Sequence, residues 1–273
     1  MTGRKKENTN LVVKLLIGIL YCSPVLLALL FSFQTNSDIG TIPLRLFTKN
    51  PTFENYKYVF ENVPIFMYLK NTIIMLIIIL PIQVAIGSIV AFVVTYYEFP
   101  LRNFIFGFFL AIMVIPGEVN VIANYMTIQS LGLMDTYLGM TIVSFVNISG
   151  MFMLRQHMMT LPQSMWEAAK VDGCSELKYF AKVVLPLSKS IIAAQVLTSF
   201  IGVYNSYLWP LLVTSTEDMR TVQTGIANLV RDMYWNPGGV LAGAIISTVV
   251  PIIVYIIGLD KIVSGLTAGA VKN

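Results

Sequence analysis

Apolar residues along this chain neither alternate nor recur at the three-and-four spacing of a water-facing helix. They run in long, nearly uncharged blocks separated by shorter polar segments. Blocks of about 18 residues or more suffice to cross a hydrocarbon core about 30 Å thick as helices. The pattern predicts six spans, at roughly 15–33, 72–96, 104–128, 137–154, 191–213 and 240–259. Lipid offers no water to satisfy backbone N–H and C=O groups, and the alternating stretches of a transmembrane barrel are missing. The predicted fold class is therefore all-α, with one transmembrane domain over residues 1–273.

Composition agrees: 56% of residues are apolar and 12% charged, against about 25% charged in soluble domains. Mean hydropathy is +0.74. The net charge of +4 could suggest a nucleic-acid partner, but the basic residues flank the predicted spans and form no patch, so none is expected. With a cytoplasmic N-terminus, all but Arg45, Lys49, Lys57, Lys70, Arg220 and Arg231 of the 18 lysines and arginines fall inside. That bias predicts that both termini are cytoplasmic. The first block follows Arg4, Lys5 and Lys6 as a secretory leader would, yet it is too long and lacks an A-x-A site, so it reads as retained. Cys22 and Cys174 fall in a span and on the inner side, so neither a disulfide nor a metal site is expected.

Two segments between spans carry the information. In the outer one, 34–71, Phe53, Tyr56, Val59 and Phe60 recur at helical spacing and predict an amphipathic helix lying at the interface. In the inner one, 155–190, a short helix at about 164–172 is bounded by a Ser164/Glu167 capping box and by Gly173 as the left-handed residue past its last turn. About two turns of helix are unstable alone in water, so this one needs a surface. Ala168 and Ala169 leave one side smooth, Met165, Trp166 and Val171 offer apolar contact, and Glu167 and Asp172 add negative charge. A partner protein and the lipid headgroups both remain open as that surface, although two acids suit anionic lipid poorly.

At these residues the chain resembles the membrane subunits of binding-protein-dependent ABC importers, whose inner loop carries E-A-A, three residues, G, and later L-P. Here the motif stands as Glu167-Ala168-Ala169-Lys170-Val171-Asp172-Gly173, followed by Leu185-Pro186. Further stretches are similar to the carbohydrate-type permeases, in particular the second permease of the maltose system. They are Glu54-Asn55-Tyr56, Asn71-Thr72, Leu154-Arg155-Gln156, the run from Tyr204-Asn205 to Trp209-Pro210, and Gly265 to Lys272. Ser190, Tyr204 and Cys174 depart from the proline, tryptophan and alanine usual there.

The resemblance implies a six-helix type I importer permease bundle that pairs with a homologous second permease. It also implies two ATPase subunits, an extracytoplasmic solute-binding protein, and a sugar or oligosaccharide as cargo. The chain has no phosphate-cradling G-x-x-x-x-G-K-[ST] loop, so ATP and Mg are expected on the partner ATPases, with no cofactor and no catalytic residue here. By resemblance, the short helix is the coupling helix. Glu167 pairs with a basic ATPase residue, Ala168 and Ala169 form the close-packed face, Gly173 makes the turn, and Asp172, Leu185 and Pro186 complete the motif.

Glu118, in Ile115-Pro116-Gly117-Glu118-Val119-Asn120, is the one acid well inside a predicted span. A charge there costs about 2.5–3.5 kcal/mol, so it should face a cavity or a partner. Glu118, Asn120, Asn124, Gln195 and Asn205 are the candidates for the translocation path, and a hydrogen bond to a sister subunit is the alternative for Glu118. Prolines 24, 81, 116, 210 and 251 are expected to kink spans. The outer segment 214–239, with Glu217, Asp218, Arg220, Arg231, Asp232, Trp235 and Asn236, could meet a solute-binding protein or be a plain loop. A secondary transporter or channel is the rival class, and it predicts internal repeats and coupling acids that are not evident. A membrane enzyme is disfavoured because the sole histidine, His157, has no evident nucleophile or metal partner.

Overall fold

A computed structural model describes residues 2–43, 45–230 and 236–267, with side chains over 13–43, 45–230 and 236–258. Arg231, Asp232, Trp235, the tail 268–272 and the side chains of Arg4, Lys5, Lys6 and 259–267 lie outside the described residues. Among the described residues every regular element is helical. In chain order the main helices are α1 (Thr2–Ser32), α2 (Glu54–Asn62), α3 (Ile65–Tyr96), α4 (Arg102–Ile112), α5 (Val121–Ser130) and α6 (Tyr137–Thr141). They continue with α7 (Ile148–Met158), α8 (Gln163–Val171), α9 (Lys189–Tyr204), α10 (Leu208–Val213), α11 (Val222–Leu229) and α12 (Pro237–Thr267).

Three unbroken helical stretches are long and apolar enough to cross a membrane: Val13–Ser32, Ile65–Tyr96 and Pro237–Gly258. They match the first, second and sixth predicted spans, and Pro24, Pro81 and Pro251 sit inside them without ending the helix. The other three expected spans are not continuous. Arg102–Ile112 and Gly117–Ser130 meet at 88° and Tyr137–Ser144 and Ile148–Met158 at 45°, while the expected fifth span breaks between Tyr204 and Leu208; a further bend of 73°, between Glu176–Leu187 and Lys189–Tyr204, lies ahead of it at Ser188. Counting each bent pair as one span gives up to six, the third pair running over 176–204 where 191–213 was expected.

The interruptions have local causes. Pro116 lacks an N–H and biases Ile115 away from helical backbone, so α4 cannot run through to α5. Asn147 stops the helix before it by capping the next one, its Oδ1 accepting from the Gly150 N–H at 2.9 Å. The expected fifth helix over 191–213 ends at Tyr204 and resumes at Leu208, because the Pro210 ring excludes the Ser206 carbonyl one turn earlier.

The chain forms two compact units, one over 1–66 and 225–250, the other over 67–224 and 251–273. In the first, the Asn55 side chain is buried and donates from Nδ2 to Ser32 O at 2.8 Å and Gln34 O at 2.7 Å. It lies against Gly238, where an added Cβ would fall 2.4 Å from Asn55 Oδ1, so only glycine fits. The expected short helix forms as α2, and Val59, one turn on from Asn55, is buried as well. Helix α2 turns Asn55 and Val59 inward and leaves Phe53 and Phe60 exposed.

In the second unit Asn71, buried, donates to Asp218 O at 2.7 Å and Arg220 O at 2.9 Å and accepts from Tyr137 OH at 2.7 Å. The Val222 N–H donates to Thr72 Oγ1 at 3.0 Å. One end of α3 is thereby pinned to residues 218–222. Asp135, in left-handed backbone at φ 55, accepts at Oδ1 from the Ser215 N–H at 2.7 Å and the Thr216 N–H at 3.0 Å. Its carboxyl is held below the ordinary aspartate range, first by the Ser215 hydroxyl and also by these amides.

Candidate functional site

Helix α8 begins one residue earlier than the sequence signals imply. Pro162, with φ −61, occupies the N-cap and makes no side-chain cap, which leaves Ser164 inside the first turn. The expected Ser164/Glu167 capping box is therefore not formed. The other end follows expectation. Gly173 has φ +70, its N–H donates to Lys170 O at 3.1 Å, and the Cys174 N–H donates to Ala169 O at 2.9 Å. This pair of bonds closes the helix as a Schellman motif.

The two sides of α8 differ in a way the sequence did not reveal. Trp166, expected to offer apolar contact to a partner, is 5% exposed and points into its own unit. It packs on Tyr179 at 4.7 Å, Tyr96 at 5.5 Å and Phe92 at 6.1 Å between ring centroids. Ala169 and Cys174 pack against the same buried cluster, so Ala169 does not share an outer face with Ala168. Lys170 Nζ lies 4.6 Å from the Trp166 ring centroid, a cation–π contact. Facing outward are Glu167, Ala168, Asp172, Gly173 and Val171, whose apolar side chain is 88% exposed.

Leu185 is half-buried and Pro186 exposed, directly after a π-helical turn at Phe180–Val184. Pro186 has no N–H for a carbonyl one turn back, and the wider turn absorbs that loss. His157 Nε2 lies 3.3 Å from Leu187 O, which ties the end of α7 to this turn. Between these elements a cleft of about 650 Å³ is lined by Tyr97, Arg102, Glu167, Lys170 and Glu176 among others. Tyr97 OH donates to Glu176 Oε2 there, and that bond pushes the Tyr97 phenol up to about 12.

The five path candidates are not brought together. Glu118 and Asn120 are exposed on a 3₁₀ turn at the 88° bend, and Asn124 is half-buried one turn on. Asn205, exposed, ends α9 and accepts from Gln223 Nε2 at 3.3 Å. Gln195 is 1% exposed and lies against Gly150, with no hydrogen-bond partner for either amide atom among the described residues.

A different polar group does assemble. Gln83 Nε2 donates to Ser144 O at 2.6 Å, and Asn147 Nδ2 donates to Ser199 Oγ at 2.9 Å. These side chains border a cleft of about 540 Å³. Sequence reasoning missed them because each is a lone polar residue in an apolar run. The amides of Gln83 and Asn147 at mid-block were the available signal.

Comparison with known proteins places these features in a family. The family described as binding-protein-dependent transport system inner membrane component matches residues 83–259. The sn-glycerol-3-phosphate transport system permease protein UgpE of Yersinia pestis is 29% identical over 265 residues, covering 93% of this chain and 94% of that protein. The arabinooligosaccharides transport system permease protein AraQ of Halalkalibacterium halodurans is 30% identical over 254 residues, covering 92% and 91%. Among solved structures, a chain of a bacterial ABC transporter involved in import of the acidic polysaccharide alginate superposes with a TM-score of 0.77 at 19% identity, covering 95% and 97%. A second, of the alginate transporter in complex with a pentasaccharide-bound periplasmic protein, gives 0.63 at 13% identity, covering 93% of each chain. These solved structures share its fold, and by the family match across most of its length the chain belongs to the inner membrane components of binding-protein-dependent transport systems.

Proposed function

We propose that this chain is the membrane-spanning permease subunit of an ATP-driven importer of a sugar or oligosaccharide, with α8 as the element that docks on a separate ATPase. In this reading the chain pairs with a homologous second permease, two ATPase subunits hold ATP and Mg, and an extracytoplasmic solute-binding protein delivers the cargo. Both termini are cytoplasmic. Glu118 and Asn120 line the mouth of the path at the bend, where a cavity or the sister subunit spares the carboxylate from lipid. The supporting names are those of the relatives, which act on glycerol phosphate and on arabinooligosaccharides.

The observation that carries the reading is the two-sidedness of α8. A helix of 9 residues cannot hold itself together in water, yet its buried Trp166 seats it firmly on one side. On the other side Glu167, Ala168, Val171 and Asp172 stand exposed. An exposed apolar residue between two acids serves a protein surface better than an anionic headgroup layer. An effector shifts a two-state equilibrium only by its difference in affinity between the states, and a rigid docked rod supplies such a difference.

Glu167→Ala and Val171→Arg, each in the full complex, test this. Both side chains are exposed, so insertion and folding should persist while ATP-driven uptake falls by about tenfold or more, the loss expected when a positioning contact is displaced. Wild-type uptake in both variants would remove the docking role.

A further inference from the structure

The three interruptions in the apolar blocks converge on one place. The cleft of about 540 Å³ is bordered by Met113 from the first break, by Ser144, Val146 and Asn147 from the second, and by Ser206 from the third. Irregular backbone at membrane depth is tolerated only where protein or a water-filled cavity covers it, because lipid cannot satisfy the freed N–H and C=O groups. Three breaks facing one cleft therefore mark it as wet. Discontinuous helices are also how transporters build solute sites inside a membrane.

The chemistry of its wall is specific. Gln83, Asn147, Thr198, Ser199 and Ser206 present amides and hydroxyls, and Met75, Ile79 and Val203 present apolar surface between them. Among the described residues, no Asp, Glu, Lys, Arg or His borders it. Gln83, Asn147 and Ser199 are held in place by the bonds to Ser144 O and to one another, so the donors and acceptors are pre-oriented. Amides and hydroxyls interleaved with apolar patches match a sugar ring, whose edge carries hydroxyls and whose face carries C–H groups. A phosphate or carboxylate would meet no cation among the described residues of this wall, so its charge would be left unpaired, whereas a neutral solute leaves none.

We propose that this cleft is a solute-contact site, formed on this chain by the three helix breaks, that receives an uncharged polyhydroxylated solute and not an anionic one. The proposal rests on the importer reading and narrows its cargo class. Gly202 offers the handle. It borders the cleft, and an added Cβ would meet nothing within 4 Å, so a side chain can be introduced there without a clash at its first carbon.

The test uses the assembled transporter with Cys22→Ser and Cys174→Ser, and Gly202→Cys as the reporter. Its labelling by an uncharged maleimide is timed with arabinotriose, maltotriose, cellotriose or sn-glycerol 3-phosphate present. A neutral trisaccharide at about ten times its dissociation constant should slow labelling by about tenfold, while glycerol phosphate leaves the rate unchanged. In parallel, Gly202→Phe should still co-purify with its partner subunits and lose about tenfold or more of the uptake of the protecting sugar. Equal protection by glycerol phosphate overturns the uncharged class. Protection by none of the sugars, or wild-type uptake by Gly202→Phe, overturns the site. A wild-type complex with no ATP-dependent uptake at all would instead sink the importer reading.

Discussion

The indole of Trp166 meets the ring of Phe92 edge-on, with centroids 6.1 Å apart and planes at 89°. Phe92 belongs to α3 and Trp166 to α8, so this contact joins the surface rod to a helix of 32 residues. Trp166→Ala should cost about 3–5 kcal/mol of local packing, as other large-to-small core changes do. Uptake should collapse while the ATPase subunits continue to hydrolyse ATP, measured side by side in proteoliposomes. Coupled transport at the wild-type ratio of solute to ATP would show that the rod is seated by something else.

The left-handed turn at Gly173 gives a graded expectation. Space around it is open, so substitutions there act through backbone alone. Asn tolerates φ +70 and Val does not. Gly173→Asn should lose little and Gly173→Val about 1–2 kcal/mol, with uptake declining in the order Gly, Asn, Val. Equal uptake across the series would mean that the closing turn is dispensable.

Gln195 and Gly150 give opposite outcomes from one contact. A Cβ on residue 150 would fall 2.2 Å from Gln195 Nε2, so Gly150→Ala should destabilise by about 1–3 kcal/mol. Gln195→Leu, similar in volume, removes a buried amide that has no partner and should raise the melting temperature. Thermal unfolding in detergent reads both. A lower melting temperature for Gln195→Leu would mean that the amide is satisfied in the assembled protein.

Asp135 ties the loop before α6 to residues 215–216, and its folded pKa is depressed. A depressed carboxylate contributes stability above the ordinary aspartate pKa, and that contribution is lost as pH falls through the folded value. Asp135→Asn should therefore flatten the acid limb of the stability profile while leaving its neutral plateau lower. An unaltered acid limb would assign the loss to other carboxylates.

Much of this molecule was legible in sequence, for reasons that also explain the failures. Hydropathy finds blocks that must avoid water, and three of its six blocks coincide with unbroken helices long and apolar enough to cross a membrane. It cannot find where the helix inside a block stops, because a break does not alter the mean. Pro116-Gly117 and the lone Asn147 were the readable marks, the first taken only as a kink and the second passed over. The capping box failed because the N-cap falls at Pro162, two residues ahead of Ser164, which places Ser164 inside the first turn. The Glu-Ala-Ala stretch was found, but the inward turn of Trp166 was not, since it depends on rings at 92, 96 and 179 that only the fold brings close. For the path, reasoning from charge favoured Glu118, and it overlooked the uncharged polar wall of the cleft because Gln83, Asn147 and Ser199 are scattered over three blocks.

Helix α3 carries 32 residues, about 48 Å of continuous rod. Near one end Asn71 and Thr72 grip the backbone of residues 218–222, and at the other Phe92 and Tyr96 grip the indole of α8. A strut clasped at both extremities transmits tilt rather than absorbing it. Under the proposed docking of α8 on an ATPase, a displacement of that rod has a direct lever to the far rim, because one helix joins the two grips.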